Sequence, residues 1–225
     1  MPEKLKETIT QENTHWQKQI RKLETQLYSE FKNEDFWISD PNSANIYFAP
    51  TVHFKKNLIT RTDIKNFKQN PEWKMLSVGA WPGYLERLLI HLGANKNNII
   101  LADKESRDLP NGFKTEIFDM FEEWPKFKSG QFDLIIFPEN PAINVWYIHW
   151  NDKIQAFTSL FKKALKYLKT GGEIRITGNP TSEEVTTEIE QGLRKAGYNV
   201  MVENFHNKGL ESLIVVKNKT SPNTC

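Results

Sequence analysis

The stretch Lys74-Met75-Leu76-Ser77-Val78-Gly79-Ala80-Trp81-Pro82-Gly83-Tyr84, continued by Leu85-Glu86-Arg87-Leu88-Leu89-Ile90-His91-Leu92, decides the reading of the fold. Met75 to Val78 reads as a short buried strand, and Gly79, Pro82 and Gly83 as a tight turn. The residues after the turn read as a helix. Leu85, Leu88, Leu89 and Leu92 fall at i, i+3, i+4 and i+7, the stripe of a helix with one buried face. A glycine turn leading from strand to helix lets a ligand approach the backbone, and the helix start offers unpaired N–H groups. About twenty residues on, Ile99-Ile100-Leu101-Ala102 reads as a second buried strand that ends in Asp103. A carboxylate there suits a ribose, because it accepts hydrogen bonds from two neighbouring hydroxyls. The outline is that of a nucleotide-type pocket.

Outward from this stretch, the chain alternates strands and helices as a mainly parallel sheet requires. Lys114 to Phe118 reads as a strand followed by Asp119, and Phe132 to Phe137 as another. For Asp119, two readings stand: a ligand contact, or a cap on the turn Phe121 to Trp124. A helix from Asp152 carries Ile154, Phe157, Leu160, Phe161, Leu165 and Leu168 on one face; Lys169-Thr170-Gly171-Gly172 stops it, and Glu173 to Thr177 is a strand. A last helix from Ser182 to Ala196 is stopped by Gly197. Tyr198 to Phe205 and Leu210 to Val216 read as two final strands. His149, in the aromatic run Asn144 to Trp150, is a candidate general base, although a histidine beside two tryptophans is more often packed in a core.

The expected organisation is an N-terminal helical extension over 1–70, an α/β domain over 71–219 and a loose tail over 220–225. In the extension, Trp16, Ile20, Leu23, Leu27, Tyr28 and Phe31 recur at helical spacing. Such a helix packs on its own domain, lies over a substrate as a lid, or pairs with a second copy as a dimer arm; the first reading is preferred. Residues 51 to 70 mix Lys55, Lys56, Arg61, Lys65 and Lys68 with Phe54 and Phe67. They read as a solvated helix with two core aromatics ahead of an RNA contact.

Composition narrows the class. The 225 residues carry a formal net charge of +2, too little to argue for nucleic acid. Hydrophobic residues make up 38%, with seven Trp and fourteen Phe, which favours a globular chain over a disordered one. The single cysteine is Cys225, so no internal disulfide is expected. Neither a membrane-length apolar run nor a signal peptide is found, and the expected compartment is the cytoplasm. The five histidines and Cys225 show no ligand spacing, so no metal site is expected.

Ser77-Val78-Gly79-Ala80-Trp81-Pro82-Gly83 resembles the first motif, acid-x-Gly-x-Gly-x-Gly, of the class I S-adenosylmethionine-dependent methyltransferases. Leu168-Lys169-Thr170-Gly171-Gly172 resembles their Leu-Lys-Pro-Gly-Gly step. The resemblance spans roughly residues 71 to 217. It implies a Rossmann-like, mostly parallel seven-stranded sheet with helices on both faces and a final hairpin with one antiparallel strand. It implies S-adenosylmethionine as cofactor, bound through Ser77, Gly79, Ala80, Trp81, Gly83, Asp103, Lys104, Asp119, Met120 and Phe137. Asp119 would sit near the adenine amine with Met120 against the ring. Glu139 and Asn140, in the loop Pro138 to Ala142, would face the methyl acceptor. Ser77 stands where the pattern has an acid, and Trp81 where it has a small residue.

The activity so implied is methyl transfer to an acceptor, a small molecule ranking ahead of RNA or protein. The turn Gly79-Ala80-Trp81-Pro82-Gly83 also resembles that of RNA ribose 2′-O-methyltransferases, and Arg175 falls near the second lysine of their Lys-Asp-Lys-Glu set, but no aspartate follows Phe137 as that set requires. A nicotinamide-dependent oxidoreductase would need glycine at 81 and 84, where Trp81 and Tyr84 stand. No Gly-Lys-Ser/Thr of a phosphate loop follows the turn. The alternative from another class is a methyltransferase fold without catalysis, a binding or scaffold protein whose pocket Ser77 and Trp81 have altered.

Overall fold

The computed structural model describes residues 15, 18–23, 25–26, 57–80, 83–104, 111–138, 150–178, 183–205 and 211–217. Its elements run α1 (Arg61–Gln69), β1 (Met75–Val78), α2 (Tyr84–His91), a 3-10 turn (Lys96–Asn98), β2 (Ile99–Asp103), β3 (Lys114–Ile117) and β4 (Phe132–Phe137). They continue with α3 (Trp150–Tyr167), β5 (Leu168–Gly178), α4 (Glu183–Lys195), β6 (Asn199–Phe205) and β7 (Glu211–Lys217).

The seven strands form one sheet in the order β3-β2-β1-β4-β5-β7-β6. β1 pairs in parallel with β2 and β4, β2 with β3, and β4 with β5. Only β7 runs against its neighbours β5 and β6, as the family resemblance implies for the last hairpin. The order reverses direction at β1, so β1 flanks the crevice where open α/β sheets bind ligands.

Both faces of the sheet are covered, which is why its central strands read as unbroken apolar runs rather than alternating ones. Leu76, Val78, Ile100, Ile135, Ile174 and Val216 point to one face, where Phe157, Leu160 and Phe161 of α3 and Ile189 and Leu193 of α4 pack on them. Met75, Ile99, Leu101, Leu134, Ile136 and Val215 point to the other, under Ile64 and Phe67 of α1 and Leu85, Leu88 and Leu89 of α2. The stripe read from the sequence is therefore the buried face of α2. Residues 18–23 are helical, and Ile20 of this segment is buried in the second cluster, with Leu23 packed against it. Lys65 and Lys68 of α1 face solvent while Phe67 is buried against Trp73, their rings 4.4 Å apart. Trp16, Leu27, Tyr28, Phe31 and Phe54 lie outside the described residues.

The Gly171-Gly172 step differs from the expectation of a simple helix stop. α3 ends at Tyr167 and β5 already begins at Leu168, which pairs with Phe132. The next pair is Leu134 with Glu173, so residues 169 to 172 of β5 stand opposite Asp133 alone, an irregularity in the ladder. Asp133 anchors the bulge: its carboxylate accepts the Lys74 N–H at 2.8 Å and the Lys169 ammonium at 2.7 Å. A Cβ on Gly172 would lie 2.8 Å from the Asp133 carbonyl oxygen, a backbone atom that cannot step aside. Gly172→Ala is accordingly expected to destabilise the protein by about 1–3 kcal/mol, as overpacking against fixed backbone does. Urea unfolding of the variant measures it, with Thr170→Ala, at an exposed position in the same bulge, as the near-neutral control.

Candidate functional site

The carboxyl ends of β1, β2 and β3 are tied into one ledge. The N–H groups of Gly79 and Ala80 both donate to the Ala102 carbonyl, at 2.8 and 3.2 Å, and the Phe118 N–H donates to the Asp103 carbonyl at 3.0 Å. Asp103 ends β2 half-buried, and Asp119 follows β3 in the same state. The two carboxylates thus stand at the ends of adjacent strands.

Gly79 sits at φ +73°, a left-handed conformation that disfavours any side chain, and a Cβ there would lie 3.7 Å from the Met120 methyl. The turn after β1 and the turn after β3 therefore touch at this point. Gly83, at φ 78°, is the N-cap of α2 and brings no side chain to the helix start. Its N–H donates to the Ala80 carbonyl at 2.5 Å, which closes the turn.

The Asp119 turn is held from several directions. The Asp119 carboxylate accepts the Phe121 N–H at 2.9 Å, which is the capping role foreseen as one of its two readings. The Trp124 indole donates to the Met120 carbonyl at 2.9 Å, and the Lys163 ammonium donates to the carbonyls of Phe121 and Glu122. Trp124 is itself stacked on Tyr167, with ring centroids 6.1 Å apart. A turn so restrained presents Asp119 and Met120 in one orientation, the preorganisation a binding site needs. One cap on Asp119 leaves acceptor capacity on its carboxylate, so capping and ligand contact are compatible.

The other candidates separate. Lys104 is exposed beside Asp103, whose carboxylate accepts the Lys104 N–H at 2.7 Å. Phe137 is fully buried in the first core cluster, with Trp124 6.3 Å away, so its ring serves the core. Trp81, Glu139, Asn140 and His149 lie outside the described residues. Among those described, no group of three or more His, Cys, Asp or Glu is arranged to hold a metal, and no helix is long and apolar enough to cross a membrane.

Ser77 is fully buried, and its hydroxyl donates to the Glu86 carboxylate at 2.5 Å. Glu86 is 1% exposed on α2. Burial pushes its carboxyl up to about 7; the Ser77 hydrogen bond and its own backbone N–H pull the other way and only partly offset this. Reading the sequence missed Glu86. Its signal was an acid three residues before Leu89 of the buried stripe.

Arg175, which falls near the second lysine of the ribose methyltransferase set, is tied into a network of its own. Its guanidinium donates to both Asp63 oxygens, at 2.5 and 3.2 Å, to Glu173 at 2.9 and 2.7 Å, and to the Leu58 carbonyl at 3.1 Å. All five donors are used. Burial opposes its charge, but Asp63 and Glu173 outweigh this and raise its pKa further. Burial would likewise raise Glu173, yet Lys217 and Arg175 hold it below the usual carboxylate range. This network borders a cavity of about 470 Å³ at the amino ends of β4 and β5, away from the ledge.

No family model matches the chain, and no curated protein matches it. Solved structures do. A SAM-dependent methyltransferase from Archaeoglobus fulgidus is similar with a TM-score of 0.51, at 13% identity, over 70% of this chain and 90% of that one. The fold is that of the class I S-adenosylmethionine-dependent methyltransferases. An S-adenosylmethionine-dependent methyltransferase from Mesorhizobium loti is similar with a TM-score of 0.48, at 13% identity, over 65% of this chain and 91% of that one. The likeness to the Archaeoglobus fulgidus structure, at such identity, concerns the fold, and within this fold Gly79, Asp103 and Asp119 stand at the carboxyl edge of the sheet.

Proposed function

We propose that the protein is an S-adenosylmethionine-dependent methyltransferase acting on a small-molecule acceptor. The observation that carries this reading is the ledge: Asp103 and Asp119 end adjacent strands beside a glycine turn whose left-handed Gly79 leaves the backbone open. These residues fit an adenosyl cofactor. Asp103 would accept from the ribose hydroxyls, Asp119 would accept from the adenine amine beside Met120, and the glycine turn at Gly79 would let the cofactor approach the backbone. When bound, the cofactor supplies a methyl on a sulfonium, a strong electrophile. The protein then has to orient the acceptor and exclude water rather than provide a nucleophile of its own.

Ribose methylation of RNA is the weaker choice of acceptor. The cation matched to that chemistry, Arg175, has all its donors engaged with Asp63, Glu173 and Leu58. A second reading, a non-catalytic binding or scaffold protein, is favoured by one observation: the side chain at the acid position, Ser77, is fully buried.

Calorimetric titration with S-adenosylmethionine and S-adenosylhomocysteine separates the two. Wild type is expected to bind both at micromolar concentration, and Asp103→Ala to lose at least tenfold, the order expected for a charge-assisted hydrogen-bonded contact. Absence of binding by wild type would refute the methyltransferase reading.

A further inference from the structure

The sheet ends in two edges of unlike character. β3 is four residues long and carries Lys114 and Glu116, so it is short and charged, the form in which an edge strand resists pairing. β6 is seven residues long, and all seven pair with β7 without a register shift. Among the described residues, no strand pairs with its other side. Its sequence, Asn199-Val200-Met201-Val202-Glu203-Asn204-Phe205, holds no Lys, Arg or Pro, and Glu203 is its one charge. Edges are ordinarily blunted by lysine, proline or a bulge, and β6 has none of the three. Met201 stands 51% exposed in the middle of the strand, next to Val215 of β7, which is 2% exposed. Apolar surface thus reaches the rim of the sheet.

We infer that β6 is an interface with a second copy of this chain, the two β6 strands pairing antiparallel about a two-fold axis so that two seven-stranded sheets continue as one. This inference is independent of the function proposed above. Residues directly opposite in such a pair share a face of the sheet, so the register is set by the residue on the axis. With Glu203 there, its carboxylate meets its own copy, like charges directly opposite. With Val202 there, Glu203 faces a thioether. With Met201 there, Met201 meets the partner's Met201, Val200 meets the partner's Val202, and Glu203 meets the partner's Asn199, whose amide is a donor for the carboxylate. The charges favour this last register. Asn199 pairs with Lys217 of β7, and Lys217 with Glu173 of β5. One face then carries Glu173, Lys217, Asn199 and the partner's Glu203 in a row. The Lys217 ammonium is 49% exposed and bonded to Glu173 at 2.7 Å, which leaves donors for a second carboxylate. Glu203 is exposed and has no ion pair among the described residues. The two backbones stand two strand spacings apart, roughly 10 Å, a gap that both long side chains narrow by leaning across Asn199. The two-fold repeats the row on the other side of the axis.

Sedimentation of the full chain at micromolar concentration reads the assembly. Wild type is expected as a dimer. Met201→Lys and Met201→Glu each set like charges across the axis, and each is expected to raise the dissociation constant by about tenfold. Mixed in equal amounts, the two variants oppose a lysine to a glutamate and are expected to recover the dimer. That recovery also shows that both variants fold, as the exposure of Met201 leads one to expect. A monomeric wild type would leave the edge to some other chain and overturn the inference. A variant that dimerises as wild type does would overturn it too, by placing the contact elsewhere, the N-terminal helix included. If both variants are folded by circular dichroism and their mixture stays monomeric, Met201 does not lie on the axis and the pairing described is wrong.

Discussion

Asp63→Ala is expected to lower the unfolding free energy by about 3–5 kcal/mol, the cost of breaking a buried ion pair from one side. Two of the five Arg175 donors lose their acceptors, and a guanidinium 8% exposed is left with Glu173 and a single carbonyl. The same carboxylate also closes the capping box of α1, accepting the Thr60 N–H at 2.7 Å while the Asp63 N–H donates back to the Thr60 hydroxyl at 3.3 Å. For a chain of this size the loss corresponds to a fall of roughly 10 °C in Tm. Urea unfolding measures it. Thr60→Ala removes only the cap and is expected to cost about 1 kcal/mol. Replacing both partners together, Asp63→Leu with Arg175→Met, should recover much of the loss, because no buried charge is then stranded. A loss below about 1 kcal/mol for Asp63→Ala would show that the pair does not join α1 to β5 as described.

Glu86→Gln is expected to act in the opposite direction, and only at higher pH. The folded protein keeps the Glu86 proton up to about pH 7, whereas the unfolded chain releases it near 4.5. Between those values the folded state binds the extra proton, so wild-type stability falls as pH rises. The loss begins near pH 4.5 and is complete above pH 7, amounting to about 3 kcal/mol. The glutamine variant carries no such proton. It should match wild type near pH 4 and exceed it by up to about 3 kcal/mol at pH 8. Thermal or urea unfolding across that range reads the difference directly. Parallel curves for the two proteins would mean that Glu86 is already ionised and paired in the folded state.

The strands were legible because a sheet covered on both faces leaves runs such as Ile99-Ile100-Leu101-Ala102 and Leu134-Ile135-Ile136 without polar interruption. The turn at Gly79 was legible because its left-handed backbone demands glycine. What escaped were contacts between distant residues. Asp63 and Arg175 are 112 positions apart, and neither carries a local sign of the other. The irregularity at Gly171-Gly172 read as a helix stop because the Asp133 carbonyl it packs against lies on the neighbouring strand. Glu86 passed as one more acid in the first turn of a helix, since its burial depends on how α2 lies over β1. The ledge was recognisable by residue type at Asp103 and Asp119. What holds Asp119 in place, the Trp124 indole and the Lys163 ammonium, comes from outside the motif.

The most direct test is a crystal structure of the protein with S-adenosylhomocysteine. The account predicts the ribose hydroxyls on the Asp103 carboxylate and the adenine against Met120 with its amine toward Asp119. A ligand found instead in the cavity bordered by Arg175 and Glu173, at the opposite end of the sheet, would contradict it.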